Sequence, residues 1–136
     1  MISKLALLLF LFLFSVHSLS DFKNDIKISS DTIEFLKKSN QINFFNNVEI
    51  NSKFVKINAQ IAAYDEIKDV ISLIGKPSTI ESNKDGSSFD GKAEKIIFYN
   101  DEKVHLIGNA SIKYENISIS SNMIIFNPET GQISSE

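Results

Sequence analysis

The chain has 136 residues, of which 43% are hydrophobic and 23% charged, and its formal net charge is −3. This length and composition predict one domain with a sizeable hydrophobic core. The lysines are scattered among acidic residues, so there is no basic face for a phosphate backbone and we expect no nucleic-acid partner. The absence of cysteine excludes disulfides, thiolate metal sites and cysteine nucleophiles.

The first twenty residues have the pattern of a secretory signal peptide. A lysine near the start precedes an almost wholly apolar run over residues 5–16, and Ser18 and Ser20 have the spacing of a cleavage site. The run is shorter than the roughly 20 apolar residues that a transmembrane helix needs. We therefore expect residues 1–20 to be a cleaved signal peptide and residues 21–136 to form the domain.

The remainder of the chain is built from two alternating patterns with a combined period of about 30 residues, which is typical of repeat architectures. Both patterns alternate apolar and polar residues with period two and are rich in Ile, Val and Phe, which indicates half-buried strands. Polar connectors between them, such as residues 81–88, have the composition of turns. The prediction is an all-β antiparallel meander. A ten-residue pattern occupies 26–35, 55–64, 89–98 and 117–126, and a second pattern begins at Ile42, Ile71 and Val104.

The ten-residue pattern changes parity in the middle of the strand. Its apolar or small positions are the first, third and fifth, and then the eighth and tenth. Since side chains alternate between the two faces of a strand, both halves can face one interior only if the strand bends or bulges near its sixth position. Four aligned bends predict an open, V-shaped β-jelly roll with an apolar inside and a polar outside. The sixth positions are Asp31, Gln60, Glu94 and Asn122.

Three segments resemble the repeat motifs of the LptA (OstA-like) family. They are Gly75-Lys76-Pro77-Ser78-Thr79, Gly91-Lys92-Ala93-Glu94-Lys95-Ile96 and Leu106-Ile107-Gly108-Asn109-Ala110. The resemblance implies an open-sided β-jelly roll in the periplasm that carries lipopolysaccharide from an inner-membrane extractor to an outer-membrane translocon. It also implies LptC-like inner-membrane and LptD-like outer-membrane partners of the same fold. The chain departs from the family at Asn46-Asn47-Val48, where Gly-Asn-Val is usual.

The predicted inward residues have two interpretations, core packing and contact with lipid, which the sequence leaves open. At roughly 0.8 kcal/mol per methylene, exposing an acyl chain of about twelve carbons to water costs on the order of 10 kcal/mol. A carrier therefore needs a continuous apolar trough. The predicted lipid-binding set is Ile28, Ile33, Phe35, Phe44, Ile57, Leu73, Ile96, Phe98, Leu106, Ile119 and Phe126.

No motif predicts an enzyme, a metal site or a cofactor. His105 falls at an outward position and has no second histidine or nucleophile beside it in the pattern. Asp31 and Glu94 could suggest acid–base catalysis. Because they occupy equivalent positions of a structural repeat, we expect them to bond to bulged backbone instead.

Two alternatives to the carrier stay open: a membrane-anchored LptC-like component of the same pathway, and a structural β-repeat interaction module. The predicted edge strands, Ile26 to Phe35 and the stretch from Ile117 onward, also bear on assembly. The second has no charged residue between Ile117 and Phe126, so it is poorly protected against pairing with another chain. We expect head-to-tail association through these edges, either between copies or with the LptC-like and LptD-like partners.

Overall fold

The computed structural model describes residues 26–53, 55–84, 86–99 and 103–135. The predicted signal peptide and the start of the domain at residue 21 lie outside these ranges. No helix among the described residues is long and apolar enough to cross a membrane. The elements are β1 (Lys27–Ser29), β2 (Thr32–Leu36), a 3₁₀ turn (Lys37–Ser39), β3 (Gln41–Asn51), β4 (Val55–Asp65), β5 (Val70–Lys84), β6 (Ser87–Tyr99), β7 (Val104–Tyr114), β8 (Ile117–Phe126) and β9 (Ile133–Ser135).

The strands form a single sheet in which consecutive strands from β3 to β9 pair antiparallel, and both β1 and β2 pair with β3. The predicted antiparallel meander is therefore confirmed. The first ten-residue copy is divided into two short strands, which are separated at Ser30 and Asp31. The predicted connector over residues 81–88 is wrong at both ends, because β5 continues to Lys84 and β6 begins at Ser87.

A crease crosses the sheet where the pattern changes parity. The register shifts in each of the five pairs from β3–β4 to β7–β8. The predicted position is confirmed, but the extra residues belong to the strands of the second pattern and lie opposite the sixth positions. They are Asn46-Asn47 opposite Gln60, residues 75–77 opposite Glu94, and Gly108-Asn109 opposite Asn122.

The crease divides the described sheet into two arms that face each other. The Phe89 and Phe126 rings stack at a centroid distance of 3.8 Å with an interplanar angle of 5°. These residues lie on β6 and β8 with β7 between them, so their rings meet across the interior. Arm one comprises the described residues of 32–45, 61–74, 95–107, 123–126 and 133–135, and arm two those of 27–29, 48–59, 78–93 and 110–121.

The hydrophobic core lies between the arms. A single flat sheet leaves both of its faces open to solvent. Here whole rows of side chains are buried away from solvent, as expected when one arm covers the other. Both arms contribute to this set. The fully buried aliphatic residues are Ile50, Ile57, Ile71, Leu73, Ile80, Ile96, Val104, Leu106 and Ile124.

Gly108 fits the crease for two reasons, its backbone angle and the space around it. Its φ is +84°, and a Cβ added there would lie 2.5 Å from Glu94 Oε2. Gly131 has a similar φ of +77° but open space around the corresponding position. We expect Gly131→Ala to cost about 1–2 kcal/mol of unfolding free energy, from the left-handed backbone alone. Gly108→Ala should cost about 1 kcal/mol more, because the Glu94 side chain must also move.

Urea denaturation of the two variants measures this difference. Equal costs would mean that the Glu94 carboxylate moves aside without loss and that the contact at the crease contributes nothing to stability.

Candidate functional site

The apolar interior is the candidate site, and the register gives its layout. Residues directly paired in antiparallel strands place their side chains on the same face. Rows of interior side chains therefore run across the strands of each arm. In arm one, the outermost row is Phe35, Ile42, Tyr64, Ile71, Phe98, Val104, Phe126 and Ile133, and the next is Ile33, Phe44, Ala62, Leu73, Ile96, Leu106 and Ile124.

At its N-terminal end the interior face continues into solvent. Phe35 is 73% exposed and Ile33 is 48% exposed, although they pair with Ile42 and Phe44 of the interior rows. No described strand pairs with the outer edge of β2. The first strand of arm one therefore presents bare apolar side chains on the same face as the core.

At the C-terminal end, arm two presents the exposed part of the interior face. A row of paired residues leads from Val55 through Ser82, Phe89 and Tyr114 to Ile117. Ile117 is 60% exposed, whereas Phe89 is buried against Phe126. The apolar interior is therefore open to solvent at both ends of the sheet.

The structure brings the predicted inward residues together on one interior face. Whether any of them touches lipid stays a prediction. Ile33 and Phe35 lie at the open end, and Ile28 and Ile119 are partly buried against the core. The remaining predicted residues are buried: Phe44, Ile57, Leu73, Ile96, Phe98, Leu106 and Phe126.

Sequence reasoning omitted several interior residues that the same patterns could have found. Val55, Tyr64, Phe89 and Ile117 occupy first or last positions of the ten-residue copies, and all lie on the interior face. Ile117 matters most, since it provides the open C-terminal end. Position in the repeat was the available signal, but only part of each copy was used in the prediction.

Polar groups also lie within this largely apolar face, among them those of Tyr64 and Ser78. The Tyr64 hydroxyl donates to Asp69 Oδ1 at 2.8 Å, and burial, reinforced by this hydrogen bond, raises the pKa of Tyr64 above its ordinary range. Ser78 is fully buried, and its Oγ has no hydrogen-bond partner among the described residues. This hydroxyl lies 2.7 Å from the position that a Cβ on Gly75 would take, so the missing side chain of Gly75 leaves room for it.

The residues considered for catalysis lie away from this interior. Asn47 Nδ2 donates to Asp31 Oδ2 at 2.8 Å, and Asn109 Nδ2 donates to Glu94 Oε1 at 2.9 Å. The expectation that these carboxylates bond to bulged backbone was wrong. Each carboxylate instead accepts a hydrogen bond from the side-chain amide of an asparagine in a bulge. Strands β3, β4 and β5 separate the two carboxylates, so they do not form an acid–base pair. His105 is on the outer face, as predicted, with its ring centroid 4.6 Å from that of Tyr99.

An antiparallel sheet folded along a crease around an interior that opens at both ends defines an open-sided β-jelly-roll protein. A family model described as LptA/(LptD N-terminal domain) LPS transport protein matches residues 27–132. The chain belongs to this family.

Solved structures show the same fold. The chain is similar to the crystal structure of LptH, described as the LptA homologous periplasmic component of the conserved lipopolysaccharide transport device from Pseudomonas aeruginosa. The TM-score is 0.75 at 18% sequence identity, and the similarity covers 85% of each chain. Comparison with proteins of curated function gives no significant match.

Proposed function

We propose that this protein is a non-enzymatic periplasmic carrier that holds the acyl chains of lipopolysaccharide in its apolar interior and passes them from the inner towards the outer membrane. The observation that carries the proposal is the interior face itself, which is largely apolar and exposed at both ends. Membership of a lipopolysaccharide transport family and the likeness in fold to the periplasmic LptH support it.

The exposed ends give a physical reason for a lipid ligand. A monomeric sheet gains stability by burying large apolar side chains, yet Phe35 and Ile117 remain mostly in solvent on the face that elsewhere forms the core. A bound acyl chain covers such side chains while its own methylenes leave water. Each methylene transferred contributes about 0.8 kcal/mol.

The sheet edges support the second part of the proposal, a bridge of several molecules. β9 pairs only with Ile124–Phe126, so the stretch of β8 from Ile117 to Met123 has no partner on that side among the described strands. A strand from another molecule can pair with such an edge. We propose that successive copies, or LptC-like and LptD-like proteins of the same fold, join at this edge and at the β1–β2 edge, which aligns their grooves.

Two alternatives predict different behaviour. A membrane-anchored LptC-like component keeps its N-terminal segment, so mass spectrometry finds an intact Met1 on membrane-embedded protein. A structural β-repeat module binds no lipid in its interior. The carrier requires both an exported form without the signal peptide and lipid in contact with the interior face.

The experiment that tests the carrier is site-specific photo-crosslinking in cells that make lipopolysaccharide. A photoreactive phenylalanine analogue at position 35 should crosslink lipopolysaccharide, because Phe35 lies at the open interior. The same analogue at Glu34 is the matched control, since Glu34 is the adjacent residue of β2 and its side chain points to the opposite face. Ile117 and Ser118 form the corresponding pair at the other end.

We expect crosslinks at positions 35 and 117 and few at 34 and 118. Equal crosslinking at all four positions would mean that lipopolysaccharide contacts both faces of the sheet equally, which contradicts an acyl-chain groove on the interior face. Correctly folded protein that crosslinks at none of them favours the structural module.

A further inference from the structure

The outer face of arm one is largely apolar, in contrast to the prediction of a polar outside. One row across strands β3 to β8 runs along the crease and a second row lies beside it, both facing away from the interior. The first row is Phe45, Ile61, Ile74, Lys95, Ile107 and Met123, and the second is Asn43, Ala63, Ser72, Ile97, His105 and Ile125. We call these two rows the outer patch.

Arm two shows what an ordinary solvent-facing side of this sheet looks like. Its outer rows consist of polar and charged residues throughout. They are Asn58, Thr79, Lys92, Ser111 and Ser120 in one row, and Lys56, Glu81, Asp90, Lys113 and Ser118 in the other. The apolar character is therefore confined to the outer face of one arm.

The outer patch is accessible. Ile74 is 51% exposed and Ile61 is 43% exposed, and the other apolar members are partly exposed. Within the two rows Lys95 is the one charged residue. The row beyond the second is polar at Gln41 and Asp65 and continues with Val70 and Tyr99. A largely apolar surface with a polar margin is the arrangement found at protein–protein interfaces.

We propose that the outer patch binds the outer patch of a second copy of this chain, so that two molecules pack arm to arm in a two-fold sandwich. Sheets pack face to face about 10 Å apart when both present apolar faces. Among the outward faces that the structure describes, the outer patch is the one that is largely apolar. The same patch of a second copy is therefore a suitable surface for it to pack against. A two-fold contact of this kind closes at two copies.

The size of the outer patch is sufficient for such a contact. Six strands spaced about 4.8 Å apart give a width of about 25–30 Å, and the rows with their margin extend about 15–20 Å along the strands. This corresponds to on the order of 500 Å² per copy and about 1,000 Å² in total, which is the lower range for a specific interface.

The carboxylates at the margin of the outer patch disfavour contact with an anionic membrane surface. Asp65 lies in the row beyond the outer patch, where it pairs with Gln41, and Glu66 and Lys68 follow it in the turn after β4. Acidic groups at the margin are repelled by anionic lipid headgroups. A two-fold axis between β5 and β6, parallel to the strands, sets Lys95 opposite the second copy's β5 and keeps the two ammonium groups apart.

The test uses analytical ultracentrifugation of purified protein over a range of concentrations. Wild-type protein should show a dimer component that is lost in Ile74→Lys. The dimer dissociation constant of this variant should rise at least about tenfold, because a second ammonium group enters the contact beside Lys95. Thr79→Lys is the matched control, on the same strand and the same side but in arm two, and should leave the dimer unchanged. Lys95→Leu should tighten the dimer.

A second measurement does not depend on affinity alone. The chain has no cysteine, so Ile74→Cys and Thr79→Cys each carry a single thiol. A short bifunctional maleimide should trap dimers through position 74 and not through position 79. Equal trapping at both sites, equal weakening by both lysine variants, or a wild-type chain that never dimerises overturns the proposal. Binding of wild-type protein to lipid vesicles through Ile74 without dimerisation overturns it in favour of a membrane contact.

Discussion

Replacing Phe98 with Asp is expected to lower the free energy of unfolding by at least about 4 kcal/mol. Phe98 is 3% exposed and pairs with Ile71 and Val104 in the outermost interior row of arm one. Truncating a buried phenylalanine costs about 3–5 kcal/mol, and a carboxyl group placed there is buried with no partner designed for it. Urea denaturation followed by circular dichroism measures the loss.

Phe35→Asp is the matched change at the open end of the same row. Its side chain is mostly in solvent, so we expect a change in unfolding free energy of less than about 1 kcal/mol. The variant should nevertheless lose lipopolysaccharide crosslinking from a reporter at Ile33, because a carboxylate at the mouth of an apolar trough disfavours acyl chains. A folded Phe35→Asp protein that still crosslinks at the wild-type level contradicts the groove.

The contrast between Phe98→Asp and Phe35→Asp determines which substitution can test lipid binding. The sequence pattern treats Phe35 and Phe98 as equivalent, since both are the last residue of a ten-residue copy. The structure separates them, because strands flank Phe98 on both sides whereas Phe35 lies on an edge. Loss of lipid binding in Phe98→Asp is explained by loss of the fold, so only the edge residue tests the function.

Much of the fold was predictable because the strand period and the change of parity are local properties of the sequence. They gave the order of the strands, the antiparallel meander and the position of the crease. The strand that carries the extra residues was not predicted. A signal for it existed in Asn46-Asn47 and Gly108-Asn109, residue types that accept positive φ and do so here.

The apolar outer patch was not predicted because only the inward positions of the patterns were examined for apolar residues. The remaining positions were assumed to be polar and to face solvent. Ile61 and Ile74 stand next to interior residues Ala62 and Leu73, so apolar residues fall on both faces and the alternation is weak there. Which ends of the interior stay open also depends on where paired strands stop. That is a property of the whole sheet, and no single strand sequence carries it.

The predicted strand over residues 117–126 coincides with β8, but the strand that follows it, β9, was not predicted. The predicted edge began at Ile117, whereas β9 follows it and covers the end of β8 from Ile124 to Phe126. β9 has only three residues, too few for a periodic pattern to be recognised. The edge of β8 available for pairing is therefore shorter than predicted and lies mostly in arm two.

This shorter edge makes the head-to-tail prediction specific. Single proline substitutions at Ser118, Ile119 and Ser120 should have alternating effects, because successive N–H groups of an edge strand point in turn to the neighbouring strand and to solvent. Where the N–H points to β7, proline removes a hydrogen bond of the sheet and should destabilise the monomer by about 3 kcal/mol. Where the N–H points outward, proline should leave the monomer stable and weaken extension by about a hundredfold. The carbonyl group of the next copy's strand then has no N–H to accept from, and that strand clashes with the proline ring.

Ile28→Pro and Ser29→Pro form the corresponding pair on β1, where both residues pair with β3. Light scattering against concentration, measured beside urea denaturation for each variant, separates assembly from folding. Growth beyond two copies that is abolished by an outward-facing proline but retained in Ile74→Lys assigns extension to the edges. If every folded proline variant extends as the wild-type chain does, or if the wild-type chain never extends alone or with LptC-like and LptD-like partners, the grooves are not joined through these strands and the bridge is wrong.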